Sequence, residues 1–104
     1  MSVRKEVIDF AAMGPLPDST IADEDDLYRR ESALKAIVPP VNAEEAEILM
    51  STFGPDECFG LAWTLLHLVE TTPGGVPMGK ESPPLNANEW VRELWSRRQR
   101  AIKP

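Results

Sequence analysis

The sequence predicts an all-α domain: a compact bundle of four main helices, over about 19–38, 42–53, 55–70 and 86–100, around a central buried helix, with a further N-terminal helix over about 3–12. Three observations carry this. Apolar residues recur at helical spacing, without the alternation of strands. Ten prolines gather mainly as Pro15/Pro17, Pro39/Pro40, Pro73/Pro77 and Pro83/Pro84. The stretches between are nearly free of them, so they punctuate helices. Two segments open with Asn three residues ahead of Glu, Asn42/Glu45 and Asn86/Glu89, the pattern in which each side chain caps the other's backbone N–H. A chain of 104 residues fits one domain over 1–104 and can bury a core without disulfides or metals.

In the N-terminal stretch, Val3, Val7, Phe10 and Ala11 recur at helical spacing with Ile8 beside them, before Met13-Gly14-Pro15-Leu16-Pro17 ends the run. Residues 1–17 read either as a short helix ordered by what holds it or as a flexible arm. The next helix starts at Ser19 or Asp23, with Asp18 or Ser19 as a cap. Asp23, Glu24, Asp25 and Asp26 put negative charge at the positive end of its dipole. The i,i+4 pairs Asp25/Arg29, Asp26/Arg30 and Glu31/Lys35 each add about 0.2–0.5 kcal/mol. Leu27, Leu34, Ile37 and Val38, with Ala33 and Tyr28, give its apolar stripe, and Pro39-Pro40 stops it. Asn42 caps the third helix, whose inner face is Ala46, Leu49, Met50 and Phe53. Gly54 ends that helix as a residue suited to positive φ.

Pro55 fits the first position of the central helix. From Cys58 to Val69 it is apolar on nearly all sides, as a buried helix is. Gly60 inside it costs about 1 kcal/mol relative to Ala, which close approach of a neighbouring helix would offset. Residues 71–85 form a Pro/Gly-rich loop, long enough to be a mobile connector or a contact surface. The last helix begins at Asn86, turns Ala87, Trp90, Val91, Leu94 and Trp95 inward, and places Arg97, Arg98 and Arg100 at its C-terminal end.

The balance of 11 basic against 17 acidic residues, net charge −6, argues against a nucleic-acid binder, which needs clustered Lys and Arg. One cysteine excludes an internal disulfide and a multi-cysteine zinc site. No apolar run reaches the about 18 residues of a membrane span, and the N-terminal residues lack the apolar stretch of a signal peptide. A cytoplasmic protein that needs no membrane, cofactor or metal is the expectation.

The residues offer no catalytic set, so no enzyme is expected. Cys58 and His67 lie nine positions apart, half a turn out of alignment and about 13 Å apart along a helix, too far for a nucleophile–base pair. Cys58 reads as a small core residue. His67 shares a face with Gly60, Trp63 and Glu70, and Glu70 is placed to hold the imidazole. The acidic run Asp23–Asp26 lacks the spacing and glycine of a calcium loop. It reads as a solvated helix start or as a protein contact. Trp90 and Trp95, about 140° apart on one helix, either both flank the core or leave one to line a groove or interface.

The run Gly54-Pro55-Asp56-Glu57-Cys58-Phe59-Gly60-Leu61-Ala62-Trp63-Thr64-Leu65-Leu66-His67 resembles a segment of short, acidic bacterial proteins of no assigned activity. The resemblance implies a bacterial source and a shared helical core.

Two functions follow as expectations. The first is a protein-interaction module, in its most concrete form an immunity or antitoxin-type inhibitor. It would neutralise a partner toxin or enzyme through Asp23, Glu24, Asp25, Asp26 and Trp95, since an acidic surface complements a basic one. The alternative is a small-molecule pocket between the third and last main helices, lined by Trp63, His67, Glu70 and Trp90. An uncovered apolar patch leaves homodimerisation open.

Overall fold

Five helices form among the residues that the computed structural model describes, 3–78 and 81–102, and no strand: α1 (Lys5–Ala12), α2 (Glu24–Lys35), α3 (Ala43–Met50), α4 (Leu61–Val69) and α5 (Glu89–Ile102). The all-α expectation holds. The most extensive helix contacts run in a row: α1 lies against α2 and α3, α3 against α4, and α4 against α5. The molecule is correspondingly flat, with extents of 43 × 31 × 19 Å.

Residues 3–17 are packed against the domain through Val7, Phe10 and Leu16. α1 buries Val7 and Phe10, each worth about 1.5–3 kcal/mol, while Ile8 stays exposed. The chain on either side of α1 is pinned. Arg4 reaches Glu45, and the N–H of Leu16 donates to the carbonyl of Thr52. Arg30 of α2 donates to the carbonyls of Met13, Gly14 and Pro15.

α2 is shorter than expected. Asp23 caps it, accepting from the N–H of Asp26. Asp18 instead turns back on Thr20, and Ser19 bonds Asp56. Asp26 pairs with Arg30 at 2.7 Å and Glu31 with Lys35 at 3.7 Å, but Arg29 takes Asp26 as partner in place of Asp25. Leu34 and Ile37 are buried, whereas Tyr28 and Val38 face outward. The helix ends at Lys35, ahead of Pro39-Pro40. The Asn42/Glu45 capping box of α3 is present in both directions. α3 stops at Met50, and Phe53 is buried beyond its end.

α4 departs most from expectation. The spacing places its start at Pro55, but the helix begins at Leu61. Cys58, Phe59 and Gly60 form a left-handed turn, with φ of 46°, 53° and 89°. The local cause is Asp56, whose carboxylate accepts from the N–H of Cys58 and offers the backbone an alternative to a helical first turn. Gly60 thus sits at the entrance of α4, where its freedom of φ is used. Gly54, by contrast, does not adopt positive φ. A Cβ there would lie 2.0 Å from the carbonyl oxygen of Leu16, so the glycine permits a backbone crossing. Six of the nine α4 residues are buried, and Trp63, Thr64 and His67 are open.

In the loop after α4, Val76 is buried and anchors the segment. α5 begins at Glu89, not at Asn86. Asn88 is its cap: its side-chain oxygen accepts from the N–H of Trp90, while its amide donates to the carbonyls of Phe53 and Gly54. Leu94 is fully buried and Val91 partly so.

Candidate functional site

The four acidic residues at the start of α2 divide into two kinds. Asp26 belongs to the fold, because its carboxylate holds Arg30 at 2.7 Å and Arg29 at 3.5 Å. Asp23 is exposed but caps the helix. Glu24 and Asp25 are exposed on the first turn.

Next to this turn stands an aromatic surface that the sequence reading missed. Tyr28 is 71% exposed and Phe59 is 69% exposed. Together with Leu27, Glu31 and Leu61 they line a depression of about 220 Å³. The left-handed turn turns Phe59 outward while burying its neighbour Cys58. Asp56 ties this turn to the approach of α2, accepting from the N–H and hydroxyl of Ser19 as well as from Cys58. These bonds, led by the Ser19 hydroxyl, hold the Asp56 carboxyl below the usual range. The sequence did carry a signal. Pro55-Asp56 followed by Gly60 is turn chemistry, and a glycine four residues into an apolar helix is anomalous.

Cys58 is buried, and burial pushes its thiol up, with the Asp56 charge adding to the effect. A thiol so held is a poor nucleophile.

The residues grouped as a pocket do not share one. Trp63 and Trp90 meet edge to face, with centroids 4.9 Å apart and planes at 87°. With Glu89 and Glu93 they line a corner of about 230 Å³. Trp90 is held from behind by Phe53, stacked at 6.1 Å, and its indole N–H donates to the carbonyl of Asp56. His67 lies 6.3 Å from the Trp63 ring. It lines a separate, largely apolar depression of about 270 Å³ with Leu34, Ile37 and Leu68. Glu70 does not hold His67. Both its oxygens engage Arg97, at 2.7 and 3.1 Å, and this pair keeps the Arg97 guanidinium more firmly charged.

Trp95 is half-buried on α5 and lines a depression of about 310 Å³ with Ser82, Pro83 and Leu85. No residue of α2 borders that depression, so Trp95 and the acidic turn do not share a groove. Among the described residues no three His, Cys, Asp or Glu side chains gather as a metal site, and no helix is long and apolar enough to cross a membrane.

The chain is thus a helical domain with an acidic and aromatic face at α2 and a tryptophan corner at α5, and no family model, curated protein or solved structure matches it.

Proposed function

We propose that this chain is a small bacterial protein-interaction module, most concretely an inhibitor of the immunity or antitoxin type. It works in the cytoplasm by covering a basic surface of a partner toxin or enzyme. The observation that carries the reading is Phe59, displayed to solvent on a left-handed turn and lining one depression with Tyr28 and Glu31 of α2, the helix whose first turn exposes Glu24 and Asp25. Each non-glycine residue in that conformation costs about 1–2 kcal/mol, and an exposed Phe forgoes burial. Strained backbone of this kind concentrates at functional sites. Aromatic groups set among charges match the anatomy of interfaces, in which a few aromatic anchors supply most of the energy. The surrounding carboxylates would draw in a basic partner and raise its association rate.

The test is affinity capture of the tagged chain from its source cells at low and moderate salt, followed by mass spectrometry and by binding measurements with the purified partner. The expected result is one stoichiometric basic partner, retained by the native chain and lost by Phe59→Gly and by the Glu24→Lys/Asp25→Lys pair. Equal capture by all three forms removes this face as the interface. The small-molecule alternative retains only Trp63 and Trp90 of its four residues, because His67 lines another depression and Glu70 is engaged by Arg97.

A further inference from the structure

The corner at α5 shares no lining residue with the depression beside α2, and its chemistry is specific. We infer that the corner between Trp63 and Trp90 is a recognition site for a guanidinium group. Its two walls are indole rings at 87° to each other. Its other lining residues are two carboxylates one helical turn apart, Glu89 and Glu93.

The walls are fixed in advance. Trp90 is stacked on Phe53 and tethered through its indole N–H to the Asp56 carbonyl. Little ordering cost is left for binding. Trp63 is 40% exposed, so an aromatic surface is open to a ligand. The acids lack sufficient reason within the fold. Glu89 suits the first turn of α5, where the dipole favours it, but Glu93, a turn further in, has no such support. Like charges at i,i+4 repel. Glu89 makes no ion pair among the described residues. Glu93 adds to the field on Arg97, whose bonded partner is Glu70, and its own ion pair, with Arg100, is 3.5 Å long with both side chains over a third exposed. A pair that long and wet is weak.

A guanidinium answers every feature of the corner. It is planar, stacks on aromatic faces, carries five donors in a fixed fork and is weakly hydrated. An ammonium has the charge without the plane. A quaternary ammonium has no donors for the carboxylates. The group would come either from an arginine side chain of a protein or from a free guanidino compound.

Titration of the full chain, followed by the indole N–H signals of its three tryptophans, tests this. The probes are arginine amide, a peptide with a single internal arginine, lysine amide and tetramethylammonium. Trp63→Phe and Trp95→Phe assign the signals, and Trp95 reports the neighbouring depression, which Glu89 and Glu93 also line. Saturable shifts at Trp63 and Trp90 with the arginine probes, and weaker binding of the other two cations, are expected. Glu89→Gln/Glu93→Gln, which leaves the rings in place, should lower the arginine affinity about tenfold, as loss of a charge-assisted hydrogen bond does. Tighter binding of the peptide than of the amide assigns the site to a protein arginine, and equal binding assigns it to a free compound. Non-saturable shifts, equal response to all cations, equal movement of Trp95 or unchanged affinity in the double variant would each overturn the inference.

Discussion

Arg4 and Glu45, 41 positions apart in sequence, are joined by three hydrogen bonds: the Arg4 backbone N–H and Nε donate to Oε2 at 3.0 and 2.9 Å, and Nη2 donates to Oε1 at 3.3 Å. The same carboxylate accepts from the backbone N–H of Asn42 at 2.9 Å. One side chain therefore caps α3 and fastens the segment leading into α1. Glu45 is 2% exposed, so its charge depends on these donors.

That dependence sets an acid limit on stability. The bonds, led by the Arg4 side chain, lower the Glu45 pKa from 4.5 to about 2. A group depressed in the folded state adds stability that is complete above its unfolded value and is lost as pH falls through the folded one. Acid should thus weaken the fold between about 4.5 and 2. Glu45→Gln should cost about 2–3 kcal/mol at neutral pH and flatten the pH dependence across that window. Urea unfolding at several pH values reads both effects.

Arg30 is buried, with its guanidinium spread over Asp26 and the carbonyls of Met13, Gly14 and Pro15. Arg30→Leu strands the Asp26 carboxylate and those acceptors, and should cost about 3 kcal/mol. Arg30→Lys should recover little, since an ammonium cannot reproduce the fork. Thermal unfolding of the two variants should place both well below the native chain.

Two glycines should respond very differently to alanine. At Gly54 the new methyl meets the Leu16 carbonyl at 2.0 Å. The backbone must separate there, and a loss above about 3 kcal/mol is expected. At Gly60 the space is open and the cost is the positive φ alone, about 1 kcal/mol. Comparing the denaturant midpoints of Gly54→Ala and Gly60→Ala separates steric cost from conformational cost.

Phe59→Gly should move stability and binding in opposite directions. Glycine relieves the left-handed backbone of about 1–2 kcal/mol and adds about 0.5–1 kcal/mol of unfolded-state entropy. The exposed ring contributes little burial, so Tm should stay level or rise while the partner identified by capture is lost. A fall in Tm would mean that the ring supports the fold and is not displayed for a partner.

The legible parts of the fold were those decided by neighbours in sequence. The Asn42 cap, the Glu45 box and the burial of Val7, Phe10, Leu34 and Leu49 all follow from local spacing. The misread parts were decided from a distance. Asn86 and Asn88 are both sound caps by type. Asn88 is selected because its amide reaches Phe53 and Gly54, more than thirty positions back. Glu70 is four positions C-terminal to Leu66 and three from His67, yet Arg97 on α5 takes it. At the candidate site, periodicity assigned Phe59 to a buried helix, while the side chain of Asp56 bent the backbone into a turn and reversed the outcome. Apolar pattern identifies residues able to be buried and does not say which of them a turn will expose.

The Arg4–Glu45 tie also fixes an order of events during synthesis. Arg4 leaves the ribosome before its acceptor exists, and at about 5–20 residues per second Glu45 follows some 2–8 seconds later. The carbonyl of Thr52, which receives Leu16, comes later still. An eight-residue helix such as α1 does not persist alone in water. α1 thus settles only after α3 has been made, and until then Val7 and Phe10 are uncovered on the nascent chain, within reach of a chaperone.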